Sequence, residues 1–169
     1  MIEGIFSDES PDQHWPGVEV DGLTVLDLGA GDFGRIGQLQ HPSTVEYWLT
    51  GGAARVIAVD ENQSDLDYLT QERVTPLAIS LTTAEQIAAL LSEYRPDLVK
   101  VDIEGAEILL TDVDPAALVI PTTYLIEAHN SELHDLLRDL LQGCGYTLHW
   151  VLRHAAQGHV SVFCAGRST

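Results

Sequence analysis

The stretch Thr24-Val25-Leu26-Asp27-Leu28-Gly29-Ala30-Gly31-Asp32-Phe33-Gly34 constrains the fold more than any other part of the chain. The apolar run from Leu23 to Leu28 reads as a buried strand, and a glycine-rich turn follows it at once. Gly29, Gly31 and Gly34 have G-x-G-x-x-G spacing, and glycines there let a backbone turn tightly and come close to a nucleotide. The same spacing also serves plain strand-to-helix links. Asp27 adds information: a carboxylate two residues before the first glycine, in an otherwise apolar strand, is costly to bury without a positive or hydrogen-bonding partner.

Further apolar runs close on polar groups in the same way. Arg55 to Asp60 is a second strand, Val74 to Ile79 a weaker third one interrupted by Pro76, and Asp97 to Ile103 a fourth. Thr123 to Glu127 is the fifth, and Tyr146 to Leu152 and Val160 to Cys164 close the chain as a sixth and a seventh. Between them lie helical patterns. One starts at Ser43 and runs to about Leu49, and one spans about Asn62 to Gln71 with Leu66 and Leu69 inward. A third opens at Thr82 or Thr83 with Ile87, Leu90 and Leu91 on one face, and a fourth is capped by Ser131 and ended by Gly143. Strands alternating with helices predict an α/β domain with a mostly parallel sheet covered on both faces, and two last strands without a helix between them predict a C-terminal antiparallel hairpin. Residues 1–17 read as a loose, polar N-terminal arm, and residues 18–169 as a single domain.

Composition bounds the partners. The chain carries 26 acidic residues against 8 basic ones, a net charge of -18, and Lys100 is its single lysine. Such a surface repels phosphate backbones and anionic membranes, so neither nucleic acid nor a membrane is expected as a partner. The acidity fits a solvated shell that maintains solubility, or adaptation to salt. Neither a secretory signal nor an apolar run of about 20 residues is visible, and Cys144 and Cys164 form no C-x-x-C pattern. A cytoplasmic protein with two ordinary thiols is the expectation.

With these features in place, the sequence resembles the class I S-adenosylmethionine-dependent methyltransferases. The run Asp97-Leu98-Val99-Lys100-Val101-Asp102-Ile103-Glu104-Gly105-Ala106-Glu107 resembles the D-x-x-K-x-D-x-E-G-x-E signature of the FkbM family. The segments Val25 to Gly34, Ser43 to Asn62 and Leu125 to His129 also fit, so that the likeness covers residues 18–152. It implies a Rossmann-like, seven-stranded sheet, S-adenosylmethionine as cofactor, and methyl transfer to a hydroxyl oxygen of a sugar or small natural product. Cofactor contacts are then expected from Asp27, Gly29, Ala30, Gly31, Phe33 and Gly34, from Asp60, Glu61 and Asn62, and from Ile79. The cofactor's amino group would be the partner that Asp27 requires. Asp60, at a strand end, is placed to accept hydrogen bonds from both ribose hydroxyls.

Strand alternation places Lys100, Asp102 and Glu104 on one side, which suits Asp102 as the group that takes the acceptor's proton, with Lys100 keeping it ionised. His129, at the end of the fifth strand, is a second proton acceptor or a pocket residue. His129 and His134 lack ligand spacing with Asp102 and Glu104, so no metal is expected. With little chain ahead of the first strand to cover the acceptor, the site is expected to be open to a bulky acceptor or completed by a second subunit in a homodimer. Two other readings share the glycine loop. A nicotinamide-dependent oxidoreductase usually places its ribose acid ~20 residues beyond the glycines, and Asp60 lies later than that. A catalytically silent cofactor-binding module would need no acceptor pocket at all.

Overall fold

The structure is a computed structural model that describes residues 2–6, 15, 17–31, 44–154 and 161–167. Among these residues eight strands form one sheet: β1 (Ile2–Phe6), β2 (Thr24–Leu28), β3 (Arg55–Asp60), β4 (Val74–Ala78), β5 (Leu98–Val101), β6 (Thr123–Ala128), β7 (Thr147–His154) and β8 (Ser161–Gly166). Their order is β1-β7-β8-β6-β5-β2-β3-β4. β2 to β6 pair in parallel, whereas β8 runs antiparallel to both β6 and β7. The chain fills the sheet outward from β2 through β3 to β4, then crosses back to β5 on the other side. The carboxyl ends of β2 and β5 therefore flank a reversal of strand order, where an open α/β sheet leaves a crevice.

Among the described residues five helices connect the strands: α1 (Thr44–Thr50), α2 (Gln63–Leu66), α3 (Ala84–Tyr94), α4 (Pro115–Leu118) and α5 (Ser131–Gly143), with a 3₁₀ helix over Ala106–Asp112. Strand alternation divides the core between the two faces. Leu26, Leu28, Val99 and Val101 pack with Ile87 and Leu91 of α3 and Leu137 of α5, while Val25, Ala58 and Leu98 pack with Trp48 of α1. Both faces being covered, the central strands are apolar on both sides, and each fully buried Leu or Val contributes about 1.5–3 kcal/mol.

The seven expected strands are present, and four features differ from expectation. Residues 2–6, assigned to a loose arm, form an eighth strand paired in parallel with β7, from Ile2 opposite Trp150 to Phe6 opposite His154. Pairing partners distant in sequence supply what local periodicity does not. Pro76 lies inside β4, where it is tolerated because β4 is an edge strand and its missing N–H breaks no ladder on the open side. α2 ends at Leu66 because the backbone tightens into three-residue turns, Leu69 N donating to Leu66 O at 2.9 Å, yet Leu66 and Leu69 are buried as expected. The cap of α5 is Asn130, whose Oδ1 accepts from Leu133 N at 2.8 Å, so Ser131 is the first helical residue. α3 opens with the expected Thr83 in a capping box: Gln86 Oε1 accepts from Thr83 N at 3.0 Å while Thr83 Oγ1 accepts from Gln86 N.

Candidate active site

The turn after β2 is held from two sides. Gly29 and Ala30 both donate their N–H to Val59 O, at 2.9 and 3.0 Å, which bends the chain over the end of β3. Gly29 has φ +80°, and a Cβ there would collide with the carbonyl oxygen of Asp102 at the end of β5. Gly31 N donates to Asp60 Oδ2 at 2.8 Å, and a Cβ on Gly31 would strike that carboxylate. Asp60 Oδ1 in turn accepts from Asn62 N at 2.8 Å. The glycines thus let β2, β3 and β5 converge, and Asp60 is oriented through both oxygens with lone pairs left over on each.

A cleft of about 300 Å³ opens at this convergence, lined by Gly29, Val59, Asp60, Glu61, Ile79, Ser80, Leu81, Asp102, Ile103, Glu104 and Ala106. That volume is at the lower end of what small-molecule sites occupy. Asp60, Glu61, Ile79, Gly29, Asp102 and Glu104 are therefore brought together as the sequence suggested. Ser80 and Leu81 were not foreseen; they follow β4, and Ser80 Oγ donates to Glu61 Oε2 at 2.9 Å. Ala30 is fully buried beside the cleft, and Asn62 caps α2 through Oδ1, which accepts from Ser64 N at 3.2 Å. Phe33 and Gly34 lie outside the described residues.

Asp27 and Lys100 are register partners on β2 and β5, and both are buried. Lys100 Nζ lies 3.2 Å from Asp27 Oδ1 and donates to Gly29 O at 2.7 Å. Asp27 Oδ2 accepts from Trp48 Nε1 and from Thr44 Oγ1, each at 2.8 Å. Partners for Asp27 are thus supplied internally, by the neighbouring strand and α1. Burial opposes the charge on Lys100, but Asp27 first and Asp102 second more than offset it and hold the ammonium above its ordinary pKa. Lys100 also lies 3.4 Å from Asp102 Oδ2, so it reaches the cleft-lining turn after β5 as well, its ammonium being enclosed.

Beyond β5 the chain makes a tight turn in which Glu104 and Gly105 have φ of 53° and 97°. A side chain in the left-handed region costs about 1–2 kcal/mol, and the turn aims Glu104 back at the sheet end. His129, just after β6, meets this turn. Its Nε2 lies 3.5 Å from Glu104 Oε2 and 3.9 Å from Asp102 Oδ1, and its Nδ1 lies 3.1 Å from Glu107 Oε1. Glu107 is fully buried, and Oε1 also accepts from Ile103 N at 2.9 Å. Contact with Glu107 is the main cause that raises the pKa of His129 to about 9; burial opposes it, and the charges of Asp102 and Glu127 add to it. The carboxylates around His129 thus favour a positive charge at this place. The ligand atoms of Asp102, Glu104 and His129 lie within 4.8 Å of one another, a grouping that their sequence separation concealed. Glu107 completes the E-G-x-E run, and its burial next to a histidine is the feature of this cluster that sequence reasoning missed.

No protein-family model matches the sequence, and neither does any curated protein. Solved structures do. A candidate S-adenosylmethionine-dependent methyltransferase from Listeria monocytogenes superposes with a TM-score of 0.61 at 11% identity, over 90% of this chain and 93% of that one. Aeropyrum pernix fibrillarin in complex with natively bound S-adenosyl-L-methionine gives 0.58 at 14% identity, over 88% and 68%. A candidate hemolysin from Streptococcus thermophilus gives 0.55 at 13% identity, over 89% of this chain and only 61% of that protein. The fold is that of the Rossmann-like methyltransferases. At such identities the likeness is one of architecture, and what happens in the cleft must be argued from its own residues. Among the described residues, no helix is long and apolar enough to cross a membrane.

Proposed function

We propose that the chain binds S-adenosylmethionine in the cleft and methylates a hydroxyl oxygen of a small acceptor, in the manner of the FkbM-type enzymes its β5 motif resembles. The observation that carries this reading is Asp60. It ends β3, one strand from the reversal of strand order, is locked by Gly31 and Asn62, and faces a cleft that leads to Asp102. A carboxylate so held can accept the two hydroxyls of a ribose. Ile79 and Leu81 offer apolar surface for a base, and Gly29 of the glycine turn lines the near wall. The cofactor supplies an electrophilic methyl group; the protein has to present an oxygen to it in line, for which positioning matters more than complete deprotonation. Asp102, partly exposed at the rim and held by Lys100, accepts the hydroxyl and takes its proton as the oxygen attacks, a contribution of ~10²–10⁴-fold. Asp27 and Lys100 serve as the rigid base of the turn and not as ligands.

Calorimetry of the full chain with S-adenosylhomocysteine and with NAD tests the reading. We expect the first to bind and the second to be silent, and Asp60→Ala to weaken the first by about 10–100-fold, the scale of lost hydrogen bonds to a charged group. Asp102→Asn should leave that affinity unchanged and lower turnover. Tight NAD binding, or no effect of Asp60→Ala, would overturn the assignment.

A further inference from the structure

We infer that Asp102, Glu104 and His129 form a divalent-cation site at the acceptor end of the cleft. The spacing of the donor atoms points to it. His129 Nε2 faces two carboxylate oxygens, at 3.5 and 3.9 Å, too far for good hydrogen bonds. Two atoms that each lie about 2.1 Å from a common ion, at tetrahedral or octahedral angles, are about 3.0–3.4 Å apart. The three donors lie within 4.8 Å of one another, so a shift of up to about 1.4 Å, within reach of the exposed Glu104 side chain, would bring them onto one ion. The facing groups are otherwise mismatched, because both carboxylates can only accept and the imidazole has one N–H at most on that side.

Glu107 is an independent pointer. It is fully buried, and its Oε2 has no hydrogen-bond partner among the described residues. Its Oε1 lies 3.1 Å from the far ring nitrogen, Nδ1. The two do not meet in hydrogen-bond geometry, but the charge of a carboxylate behind the imidazole favours the proton on Nδ1 and leaves the Nε2 lone pair to a metal. Asp102 is held likewise: Lys100 takes Oδ2 at 3.4 Å, and Oδ1 remains for the ion. Two carboxylates with one imidazole suit a cation that accepts both hard oxygen and nitrogen ligands, Mn²⁺ above all. Glu104 is 70% exposed, and Asp102 and Glu104 both line the cleft, so coordination positions stay open toward it. There the ion would hold an acceptor's oxygen and lower its pKa, and the second lone pair of Asp102 Oδ1 would stay free to accept the hydroxyl's proton. That role, unlike the site itself, rests on the methyltransferase reading.

The test is a Mn²⁺ titration of the metal-stripped full chain, without cofactor or acceptor, read by calorimetry and by the electron paramagnetic resonance signal of free Mn²⁺. One Mn²⁺ per chain is expected. Glu104→Gln, at an exposed position, should weaken binding at least ~10-fold, and Glu93→Gln, which removes the same charge ahead of β5 at the other end of the sheet, should not weaken it. Absence of stoichiometric binding, or equal effects of the two variants, overturns the site. A chain that binds S-adenosylhomocysteine but no Mn²⁺ loses the ion and retains the methyltransferase reading. One that binds Mn²⁺ through Glu104 but no S-adenosylhomocysteine retains the site and loses that reading.

Discussion

Lys100, the chain's single lysine, lies inside the sheet. An ammonium there is tolerated because Asp27 faces it across the β2–β5 ladder and the carbonyl of Gly29 takes one of its protons. Removing one member of a buried pair leaves the other charge without compensation, which typically costs 3–5 kcal/mol. Lys100→Met, close in length and apolar, should therefore destabilise the fold by about 3–5 kcal/mol in chemical denaturation, through the unpaired Asp27. A loss under about 1 kcal/mol would mean that Asp27 is satisfied by Trp48 and Thr44 alone. The residues themselves were conspicuous in the sequence, an acid and a lysine inside two apolar strands. Their pairing was not, because it depends on β2 and β5 becoming neighbours, which the sequence states only through the order of its strands. The same holds for His129 and Glu107, whose contact joins the end of β6 to the turn after β5.

At the scale of elements, what was legible was whatever repeats locally. The seven expected strands, the start of α3 at its threonines and the end of α5 at Gly143 follow from period and cap chemistry. β1 was illegible because Ile2-Glu3-Gly4-Ile5-Phe6 has too few apolar residues to declare itself, and its order comes from the edge of β7. The cap of α5 was misplaced by one residue because Asn130 and Ser131 are both good caps and only the exit from β6 chooses between them. α5 carries a further device that periodicity does not show. His134 sits on its buried face, with Nδ1 2.7 Å from Ser161 Oγ of β8 and its ring edge-on to Phe163. Burial lowers the pKa of His134, Arg153 and Arg138 push the same way, and Asp135 opposes them. A group with a lowered folded-state pKa contributes stability that is fully present above its unfolded value, about 6.5, and is lost as the pH falls below that, because the unfolded chain takes up the proton first. His129, with its raised pKa, pulls the other way over this range, so the effect reads as a difference: between pH 7 and 5.5 the melting temperature should fall more steeply, or rise less, than in the His134→Gln variant. Equal slopes in the two proteins would show that helix α5 is not held to β8 by a neutral histidine.

At the scale of the whole molecule, the charge of -18 is decisive. The buried pair of Asp27 and Lys100 and the cluster around His129 neutralise part of the acidity within the sheet, yet most of the acids lie on the surface with few cations to answer them. Arg138 is one exception, paired with Asp135 at 2.6 Å and with Asp139 at 2.7 Å on the exposed face of α5. Such exposed pairs contribute at most about 1 kcal/mol each, too little to balance the repulsion among the rest. Repulsion between unpaired surface acids acts through solvent and is therefore screened, with a Debye length of about 10 Å at 0.1 M salt and about 3 Å at 1 M. The folded chain, being the more compact, gains more from that screening than the unfolded one. The melting temperature should accordingly rise from low to molar sodium chloride, most steeply below a few tenths molar, where the Debye length shrinks fastest. Potassium chloride should act alike, because screening depends on ionic strength and not on the particular cation. A flat or falling curve would mean that the acids are too widely spaced to repel one another, and that the acidity of this chain serves solubility alone.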